Sequence, residues 1–311
     1  MTGSGALPPF AVVIVSYASS ALLRHNASTM ALPPGGRVVV VDCFTDERER
    51  ERVRALAGER GWDAVLLEEN AGYGGGTNAG ARRAIELGAE VIVPLNPDAR
   101  AEGAALARLV AAVAADPQLI ASPTIVSSTG APWFSGADLY LADGVSRGAR
   151  ARQRFEGEAR RAWATGACFA ISTALWLRLG GFDEDYFLYW EDIDLSHRAL
   201  DAGARLAVID ATIVHDEGGT HGQQRTGRAK SELYYTYSIR NRLLYASKHL
   251  EPDAARHWQR SAPRVALGVL LQGGRRQLVT SWRPWRALLR GLREGNRALR
   301  QQRAPARRGE A

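Results

Sequence analysis

Hydrophobic and polar positions alternate in blocks along the first two thirds of the 311-residue chain. Residues 10–17 and 38–42 are compact, valine-rich runs, which are typical of parallel strands buried on both faces. Residues 48–60 and 78–87 mix apolar and charged positions and end near a glycine, as helices do. This alternation predicts an α/β fold, with a mostly parallel central sheet and flanking helices. Further strands are predicted at residues 65–68, 91–96, 206–209 and 213–214, and further helices at residues 101–115, 175–179, 191–202, 232–249, 265–271 and 282–299.

The pattern weakens in the middle of the chain. Residues 121–166 are rich in Gly, Ser and Pro and predict loops and irregular strands that shape a cleft. We predict a nucleotide-binding domain at residues 8–230, a basic C-terminal helical extension at residues 231–304 and a disordered tail at residues 305–311.

The net charge of +7 is concentrated at one end of the chain. Residues 256–308 hold fourteen arginines and one acid, Glu294, whereas the remainder holds 26 basic and 32 acidic residues. This asymmetry indicates a polyanionic partner, and an anionic membrane surface fits because arginine alternates with Leu, Val and Trp between Arg264 and Arg300. The alternative is a helical subdomain that packs on the α/β domain and keeps a solvated basic face. Nucleic acid is disfavoured, since no recognition motif accompanies the charge.

Several features bear on the compartment. No apolar run reaches the roughly 18 residues that cross a bilayer, and the segment before Phe10 lacks the positive charge of a secretory signal. Cys43 and Cys168 are too few for a metal cluster or a disulfide framework and are expected to be free thiols. We therefore expect a cytoplasmic protein, attached peripherally to the inner face of the cell membrane if the basic segment binds lipid.

Two acidic residues follow predicted strands. Asp42 and Asp98, the latter in the sequence Asn96-Pro97-Asp98, would both arrive at the carboxyl edge where open α/β sheets bind ligands. There Asp42 can accept hydrogen bonds from a base or ribose, and Asp98 can ligate a divalent cation that neutralises a diphosphate. The structural alternatives are a helix cap for Asp42 and an ordinary turn for the second motif. Pro94 predicts that the strand before Asp98 is irregular or lies at an edge of the sheet.

A glycine-rich segment lies between these acids, from Asn70 to Gly80. Gly72, Gly74 and Thr77 approach the G-x-G-x-x-G spacing, but the last glycine is missing, so the dinucleotide fingerprint fails. Gly-rich backbone before a helix can approach a phosphate or a sugar closely. A flexible turn is the equally simple alternative.

Three carboxylates, Glu191, Asp192 and Asp194, stand at the start of one predicted helix. The helix dipole alone explains acids at this position. Asp194 lies four residues before Arg198, which predicts a surface ion pair between them. Glu191 or Asp192 is then left to face a cleft.

Aromatic and imidazole side chains accompany these acids. Tyr189 and Trp190 directly precede them and would form an apolar wall of the cleft. His215 follows an apolar strand and can serve as a metal ligand, although a lone histidine is more often structural. The interpretation of His215 as a metal ligand gains support only if Asp98 lies beside it.

Taken together, these motifs resemble the large GT-A family of inverting glycosyltransferases, family 2, and especially its rhamnosyltransferase-like members. The match covers about residues 10 to 250, and it is the order and spacing of individually weak pieces that make it specific. The resemblance implies a GT-A nucleotide-binding fold, to which this chain adds a C-terminal helical extension. The matching pieces are Val13-Ile-Val-Ser-Tyr17, Asp42, the segment from Asn70 to Gly80, Asn96-Pro-Asp98, Thr165-Gly-Ala-Cys-Phe169, Gly181-Phe-Asp-Glu184, Glu191-Asp-Ile-Asp-Leu195, His215 and Arg240-Asn-Arg242.

The resemblance implies a donor site for a nucleoside-diphosphate sugar. Asp98 stands where the family has the second acid of its metal motif, and with His215 it would bind Mg²⁺ or Mn²⁺ at the donor diphosphate. The residues that would bind the donor are Ser16, Tyr17, Asp42, Gly72, Asn78, Asn96, Asp98 and Arg240.

The resemblance also implies the chemistry. Asp192, beside Glu191, would remove the proton of the acceptor hydroxyl while that oxygen attacks the anomeric carbon opposite the leaving diphosphate, which inverts the stereocentre. Tyr189 and Trp190 would contact the acceptor. The expected acceptor is a saccharide or a lipid-linked saccharide, and the expected donor sugar is rhamnose from a thymidine diphosphate. A homo-oligomer stays open.

The chain departs from the family pattern in the nucleoside pocket. Cys43 stands where asparagine is usual, and Ala18 follows Tyr17 where asparagine is common, so the base of the donor stays open. A non-catalytic nucleotide-sugar-binding subunit of a polysaccharide assembly complex is the alternative function. A nucleotidyltransferase is disfavoured, because no glycine-rich loop with a basic residue follows the first strand.

Overall fold

The computed structural model describes residues 6–27, 30–215 and 230–303, and the tail predicted at residues 305–311 lies outside them. The strands are β1 Phe10–Ser16, β2 Gly36–Asp42, β3 Asp63–Leu66, β4 Val91–Pro94, β5 Ala99–Arg100, β6 Leu119–Val126, β7 Pro132–Phe134, β8 Ala137–Tyr140, β9 Val145–Gly148, β10 Arg160–Trp163, β11 Ile171–Ser172 and β12 Arg205–His215. The α-helices are α1 Ser20–Leu22, α2 Glu47–Arg60, α3 Gly72–Glu86, α4 Gly103–Ala115, α5 Thr173–Leu179, α6 Glu191–Asp201, α7 Glu232–His249, α8 Pro252–Gln272, α9 Arg276–Thr280 and α10 Arg283–Arg303.

The main sheet has five strands in the order β11-β4-β1-β2-β3, of which β11 alone is antiparallel to its neighbour. The chain builds outward from β1 to β3 on one side and then crosses to β4 on the other. Successive residues of β1 face opposite cores, with Val12 and Ile14 packed in a cluster with α2 and α4, and Val13 and Val15 in a cluster with α3 and α5. The switch point between β1 and β4 is where open α/β sheets bind ligands.

The glycine-rich segment is helical from Gly72 onward, so the flexible turn that was one alternative for this segment does not form. Gly72 is the first residue of α3, six positions before the predicted start at residue 78. A Cβ atom on Gly76 would lie 2.7 Å from Cys43 Sγ, and one on Gly80 would overlap the side chain of Val13. Glycines spaced by four residues therefore let α3 lie directly against β1 and β2.

Strand β4 lies inside the sheet, between β1 and β11, so of the two possibilities that Pro94 predicted, an irregular strand or an edge strand, the edge position is wrong. Pro94 is tolerated because it is the last residue of the strand, where it pairs with Val13. The next residue, Leu95, restores the ladder by donating its N–H to Val13 O at 2.9 Å. The strand therefore ends with the motif Asn96-Pro-Asp98 at the carboxyl edge of the sheet.

Two smaller sheets complete the domain, in the order β5-β12-β6-β7 and β10-β8-β9. The two strands predicted after residue 205 form one long strand, β12, whose register shifts between Val208 and Thr212. Most of the strands in these sheets come from the region predicted to be irregular. They form one side of a deep cleft, as that prediction stated.

The C-terminal helices pack on the α/β domain. Buried Tyr245 and Trp258 of α7 and α8 cluster with Leu139 and Ile193 of the domain. α10 lies along α7, and Gly291 brings the two helix backbones close together. A packed helical subdomain, the structural alternative for the basic segment, is therefore observed. Within the described ranges, no helix is both long and apolar enough to cross a bilayer.

The two cysteines are buried free thiols, as predicted. Burial raises the pKa of Cys168 to about 12, and burial together with the charge of Asp42 does the same for Cys43. Both side chains therefore stay neutral and act as small apolar groups.

Candidate active site

A cavity of about 1400 Å³ opens beside the carboxyl ends of the main sheet strands. The ends of β1 and β2 contribute Tyr17 and Cys43 to its wall, and the opposite side carries Trp133 and Trp163 from the smaller sheets. The predicted site residues that line it are Tyr17, Gly72, Asn96, Asp98, Tyr189, Trp190, Glu191, Asp192 and His215.

Asp98 and His215 meet on one side of this cavity. Antiparallel pairing of β5 with β12 sets His215 opposite Ala99, and its Nε2 lies 3.1 Å from Asp98 Oδ1. That contact lacks hydrogen-bond geometry, so this buried carboxylate oxygen has no hydrogen-bond partner among the described residues. Asn96 Nδ2 lies 3.3 Å from the same imidazole nitrogen, and the ring of Trp133 stacks on His215 at 4.7 Å between centroids.

This pair suits a divalent cation. A carboxylate oxygen and an imidazole nitrogen are ordinary ligands, and two ligands at about 2.1 Å on neighbouring coordination positions are about 3 Å apart. Within the part of the chain that the structure describes, no group of three or more His, Cys, Asp or Glu side chains forms a metal site. Among the described residues, Asp98 and His215 are therefore the two side chains suited to ligate a cation at this position.

Asp192 occupies the first turn of α6 and lines the same cavity. Its Oδ2 accepts the Gly166 N–H at 2.9 Å, and its Oδ1 accepts the Ile193 N–H at 2.8 Å. Ser196 joins the same two segments, because its Oγ accepts the Ala164 N–H at 3.0 Å and donates to Asp192 O at 2.6 Å. The segment before Phe169 thus fixes the orientation of the Asp192 carboxylate.

Adjacent Glu191 and Asp192 have different protonation behaviour. Burial raises the pKa of Asp192 to about 6, against the lowering effect of the N–H groups of Gly166 and Ile193. Burial and the charge of Asp192 raise the pKa of Glu191 well above its ordinary value, and Glu191 Oε2 has no hydrogen-bond partner in the described part of the chain. Of the two, Asp192 is therefore the carboxylate that ionises more readily, and once ionised it can accept a proton.

Asp194 plays a structural role, as its spacing to Arg198 predicted, but it is not on the surface. Its side chain is 1% exposed, and it accepts hydrogen bonds from Arg198 Nε at 2.7 Å and His249 Nε2 at 2.6 Å. Burial alone would raise the pKa of Asp194, but His249 and Arg198 lower it on balance. Asp194 thereby ties α6 to the end of α7.

The turn into α6 is strained, and sequence reasoning missed the residue that holds it. Phe187, Tyr189 and Trp190 have φ angles of 62°, 65° and 77°, a region that side chains other than glycine rarely adopt. Fully buried Asn241 places Nδ2 at 2.8, 2.9 and 2.7 Å from the carbonyl oxygens of residues 186, 188 and 189. The available signal was the motif Arg240-Asn-Arg242, whose central residue reads as an ordinary helical asparagine.

Tyr189 and Trp190 face the cavity, as predicted for acceptor contacts. Tyr189 packs edge-on against Tyr234 at 5.2 Å between ring centroids. Burial raises the pKa of its hydroxyl, and so do the charges of Tyr234, Glu191 and Asp98. The Tyr189 hydroxyl therefore stays protonated and can donate a hydrogen bond into the cavity.

Two predicted nucleoside ligands lie behind the cavity wall. Ser16 is fully buried and forms a hydrogen bond with Ser19, and fully buried Asp42 pairs with Arg50 Nε at 3.3 Å. Burial raises the pKa of Asp42, and Arg50 opposes that rise. Neither residue lines the cavity, although their neighbours Tyr17 and Cys43 do, so direct donor contacts by Ser16 and Asp42 find no support in this geometry.

Asn78 and Arg240 also lie outside the cavity wall. The Asn78 side chain accepts the Phe182 N–H and donates to Phe182 O, both at 2.9 Å, and so fastens α3 to the segment before α6. Arg240 donates to Asp185 O at 2.8 Å. The structure therefore gives Asn78 and Arg240 structural roles instead of the predicted donor contacts, because each side chain forms hydrogen bonds with the backbone that precedes α6.

Comparisons with known proteins agree with this fold. No protein-family model matches the sequence. An N-acetylglucosaminyl-diphospho-decaprenol L-rhamnosyltransferase of Mycobacterium tuberculosis is 32% identical over 76 residues, 24% of this chain, and the match spans 25% of the relative's length. The low-salt glycan biosynthesis hexosyltransferase Agl10 of Haloferax volcanii is 27% identical over 219 residues, 68% of each chain.

A solved structure extends the similarity to nearly the whole chain. The mannosyltransferase PcManGT of Pyrobaculum calidifontis, in complex with GDP-Man and Mn²⁺, superposes with a TM-score of 0.55 at 17% identity, over 95% of this chain and 87% of that chain. The GT-A fold predicted from the sequence motifs is therefore confirmed, and the named relatives to which this chain is similar are glycosyltransferases.

Proposed function

We propose that this protein is an inverting glycosyltransferase that moves a sugar from a nucleoside-diphosphate donor to an acceptor hydroxyl. The observation that carries the proposal is that one cavity holds both the Asp98–His215 pair and the Asp192 carboxylate. The first arrangement suits a cation and a diphosphate, and the second suits proton removal. No other described part of the chain brings together residues for both tasks.

The donor diphosphate is placed beside Asp98 and His215. These two residues would hold Mg²⁺ or Mn²⁺, which when bound neutralises the charge that develops on the leaving diphosphate. Asn96 and the N-terminus of α3 at Gly72 border the same space. Tyr17 and Cys43 lie where the nucleoside would extend, at the ends of β1 and β2.

Asp192 then acts as the base. The acceptor oxygen forms a bond to the anomeric carbon as the bond from that carbon to the diphosphate oxygen breaks, and the acceptor proton passes to the Asp192 carboxylate. The two backbone N–H groups on Asp192 fix its orientation, and the raised pKa of buried Glu191 favours the neutral form of that neighbour. Attack from the face opposite the leaving group inverts the anomeric configuration.

The names of the relatives support a narrower proposal for the substrates. The mycobacterial relative is named for L-rhamnose transfer to N-acetylglucosaminyl-diphospho-decaprenol, and the haloarchaeal one for glycan biosynthesis. We therefore propose rhamnose from a thymidine-diphosphate donor and a lipid-linked saccharide acceptor. The aromatic wall formed by Trp133, Trp163, Tyr189 and Trp190 is suited to stacking against sugar rings.

The experiment uses the full chain and has two stages. A thermal-shift panel of dTDP-, UDP- and GDP-sugars, with and without Mn²⁺, should show stabilisation that needs both the nucleotide and the cation. The best donor is then incubated with an N-acetylglucosaminyl-diphospho-polyprenol, and NMR should find a product with the anomeric configuration opposite to that of the donor. A panel with no cation-dependent shift, or a product of retained configuration, contradicts the proposal.

A further inference from the structure

The turn that joins α8, α9 and α10 exposes apolar side chains to an unusual degree. Val279 is 88% exposed and Trp282 68%, while Leu267 and Leu271 on the adjoining end of α8 are 40% and 42% exposed. We call these four residues, together with Arg264, Arg275, Arg276 and Arg283, the α8–α10 corner. Large apolar side chains grouped on a surface mark an interaction site more often than scattered ones do.

The corner is also strongly basic. Residues 254–293 contain nine arginines and no acid. Arg286 and Arg290 of this segment pair with Glu232 and Glu294. The structure gives the four corner arginines no carboxylate partner within the described ranges. Unneutralised arginines beside an exposed tryptophan match an anionic lipid surface, with cations at the headgroups and apolar side chains below them.

Packing behind the corner holds it in place. Gln277 donates to Leu270 O at 2.9 Å and hydrogen-bonds with Tyr235, and Trp285 Nε1 donates to Leu278 O at 2.9 Å. Leu270, between the exposed Leu267 and Leu271 in the sequence of α8, is completely buried. The apolar exposure is therefore built into a fixed turn and is not a frayed end.

The active-site cavity reaches the same corner. Its wall continues past Asp192 along the start of α7 to Val269, Gln272, Ser281 and Arg283. A molecule that extends from the catalytic carboxylate along this wall would emerge where α8, α9 and α10 meet. Such a course would give an amphiphilic acceptor a path between a lipid surface and Asp192.

We infer that the α8–α10 corner binds the surface of an anionic phospholipid membrane and sets the cavity mouth against it; the second part of this inference rests on the proposed function. The occupant is the bilayer itself, because charge and apolar exposure coincide on one fixed turn. In the bound state, Val279 and Trp282 lie at the level of the lipid headgroups, and the arginines contact lipid phosphates.

Vesicle flotation of the full chain tests the surface directly. The protein should bind vesicles of phosphatidylcholine with phosphatidylglycerol at low salt, and it should bind pure phosphatidylcholine weakly. Arg275→Gln/Arg276→Gln should lower the partition coefficient about 25-fold, since each arginine near an anionic surface contributes about fivefold. Val279→Ser/Trp282→Ser should lower it about tenfold or more. None of these four side chains lines the cavity.

The matched control variants remove the same kinds of exposed side chain, two arginines or one large apolar residue, from other parts of the surface. Arg37→Gln/Arg82→Gln takes away two exposed charges from β2 and α3, and Leu177→Ser takes away an exposed apolar side chain of α5. These controls should bind vesicles like the unaltered protein. Equal binding by the corner variants, equal binding to neutral and anionic vesicles, or a self-associated dimer that the Val279 and Trp282 changes dissolve would each overturn the inference.

The same variants separate this inference from the proposed function. Corner variants should keep the Mn²⁺-dependent thermal shift with nucleotide sugar, because Asp98 and His215 are untouched. They should lose transfer to a polyprenyl-linked acceptor held in vesicles, while transfer to a short-chain soluble analogue persists. If the proposed function fails, the unaltered protein shows no nucleotide shift but still floats with anionic vesicles.

Discussion

The adjacent carboxylates of Glu191 and Asp192 differ in pKa because the backbone offers them different hydrogen bonds. Two carboxylates in one water-poor pocket cannot both carry charge at little cost. Asp192 accepts N–H groups from Gly166 and Ile193, whereas Glu191 Oε2 receives no hydrogen bond from any described residue. The negative charge is therefore favoured on Asp192, which the family resemblance implied as the base but which the spacing of the acids alone did not separate from Glu191.

Asp192→Asn should lower kcat by about 10²- to 10⁴-fold while the donor Kd changes by less than about twofold, because the amide cannot accept the acceptor proton. Steady-state transfer assays and calorimetric donor titrations measure the two effects. Asp201→Asn, the same change at the exposed end of the same helix, is the matched control and should keep its rate. A fully active Asp192→Asn variant would remove Asp192 from the base role.

The pH dependence of kcat should report the same carboxylate. Burial raises the pKa of Asp192 to about 6, so the side chain is protonated and inactive below that pH and ionised above it. The rate should rise about tenfold per pH unit below about 6 and level off at higher pH. A profile that is flat between pH 5 and pH 8, with chemistry shown to be rate-limiting, would contradict the assignment.

At the scale of elements, two devices position these residues. The glycines of α3 bring that helix against β1 and β2, and the strained turn before α6 aims the carboxylates into the cavity. Both devices depend on close approach of backbones, and a Cβ atom on Gly72 would overlap Phe187 O. The glycine-rich segment thus serves packing around the site.

Gly80→Ala should destabilise the protein by about 1–3 kcal/mol, because the added methyl group overlaps Val13 in a filled core. Gly58→Ala in α2 is the control, since no atom lies within 4 Å of its added Cβ, and it should stabilise by up to about 1 kcal/mol. Urea unfolding measures both. Equal effects from the two changes would show that α3 does not pack as closely as described.

Asn241→Ala should lower kcat about 100-fold, because the carbonyl groups of the turn lose their shared donor and the α6 carboxylates shift. Metal-dependent donor binding should persist, since Asp98 and His215 lie on other elements. Ser247→Ala on the same helix is the control. If folded Asn241→Ala protein keeps the kcat of the unaltered protein, the turn before α6 keeps its conformation without the Asn241 side chain.

At the scale of the whole molecule, periodicity was enough for the α/β order, because buried parallel strands and glycine-terminated helices leave strong local patterns. Asp98 could be placed because parallel strands share one carboxyl edge, whereas Asp192, at the start of a helix, was placed by the resemblance to the family motifs. The positions of Arg240 and Asn78 could not be predicted, because their hydrogen-bond partners are backbone atoms of a segment more than fifty residues away in the sequence. Asn241 was missed for the same reason.

The whole molecule also explains the two halves of the charge distribution. The basic helices pack on the α/β domain with arginines outward, so the interpretation as a packed subdomain holds for their inner face, and membrane binding by their outer face stays our proposal. The division at residue 230 and any oligomer stay predictions. Separate expression of residues 231–304 is not expected to give a folded unit, because Trp258 is buried against Leu139 of the domain.

The most direct test of the account is calorimetric titration of the protein with nucleoside diphosphate, with and without Mn²⁺. Asp98→Asn and His215→Ala should each weaken the Mn²⁺-dependent affinity about 10- to 100-fold, as loss of a charge-assisted contact does, while Asp192→Asn leaves it unchanged. That pattern is the predicted result. Unaltered affinity in both Asp98→Asn and His215→Ala would contradict a shared cation and diphosphate site at this edge of the sheet.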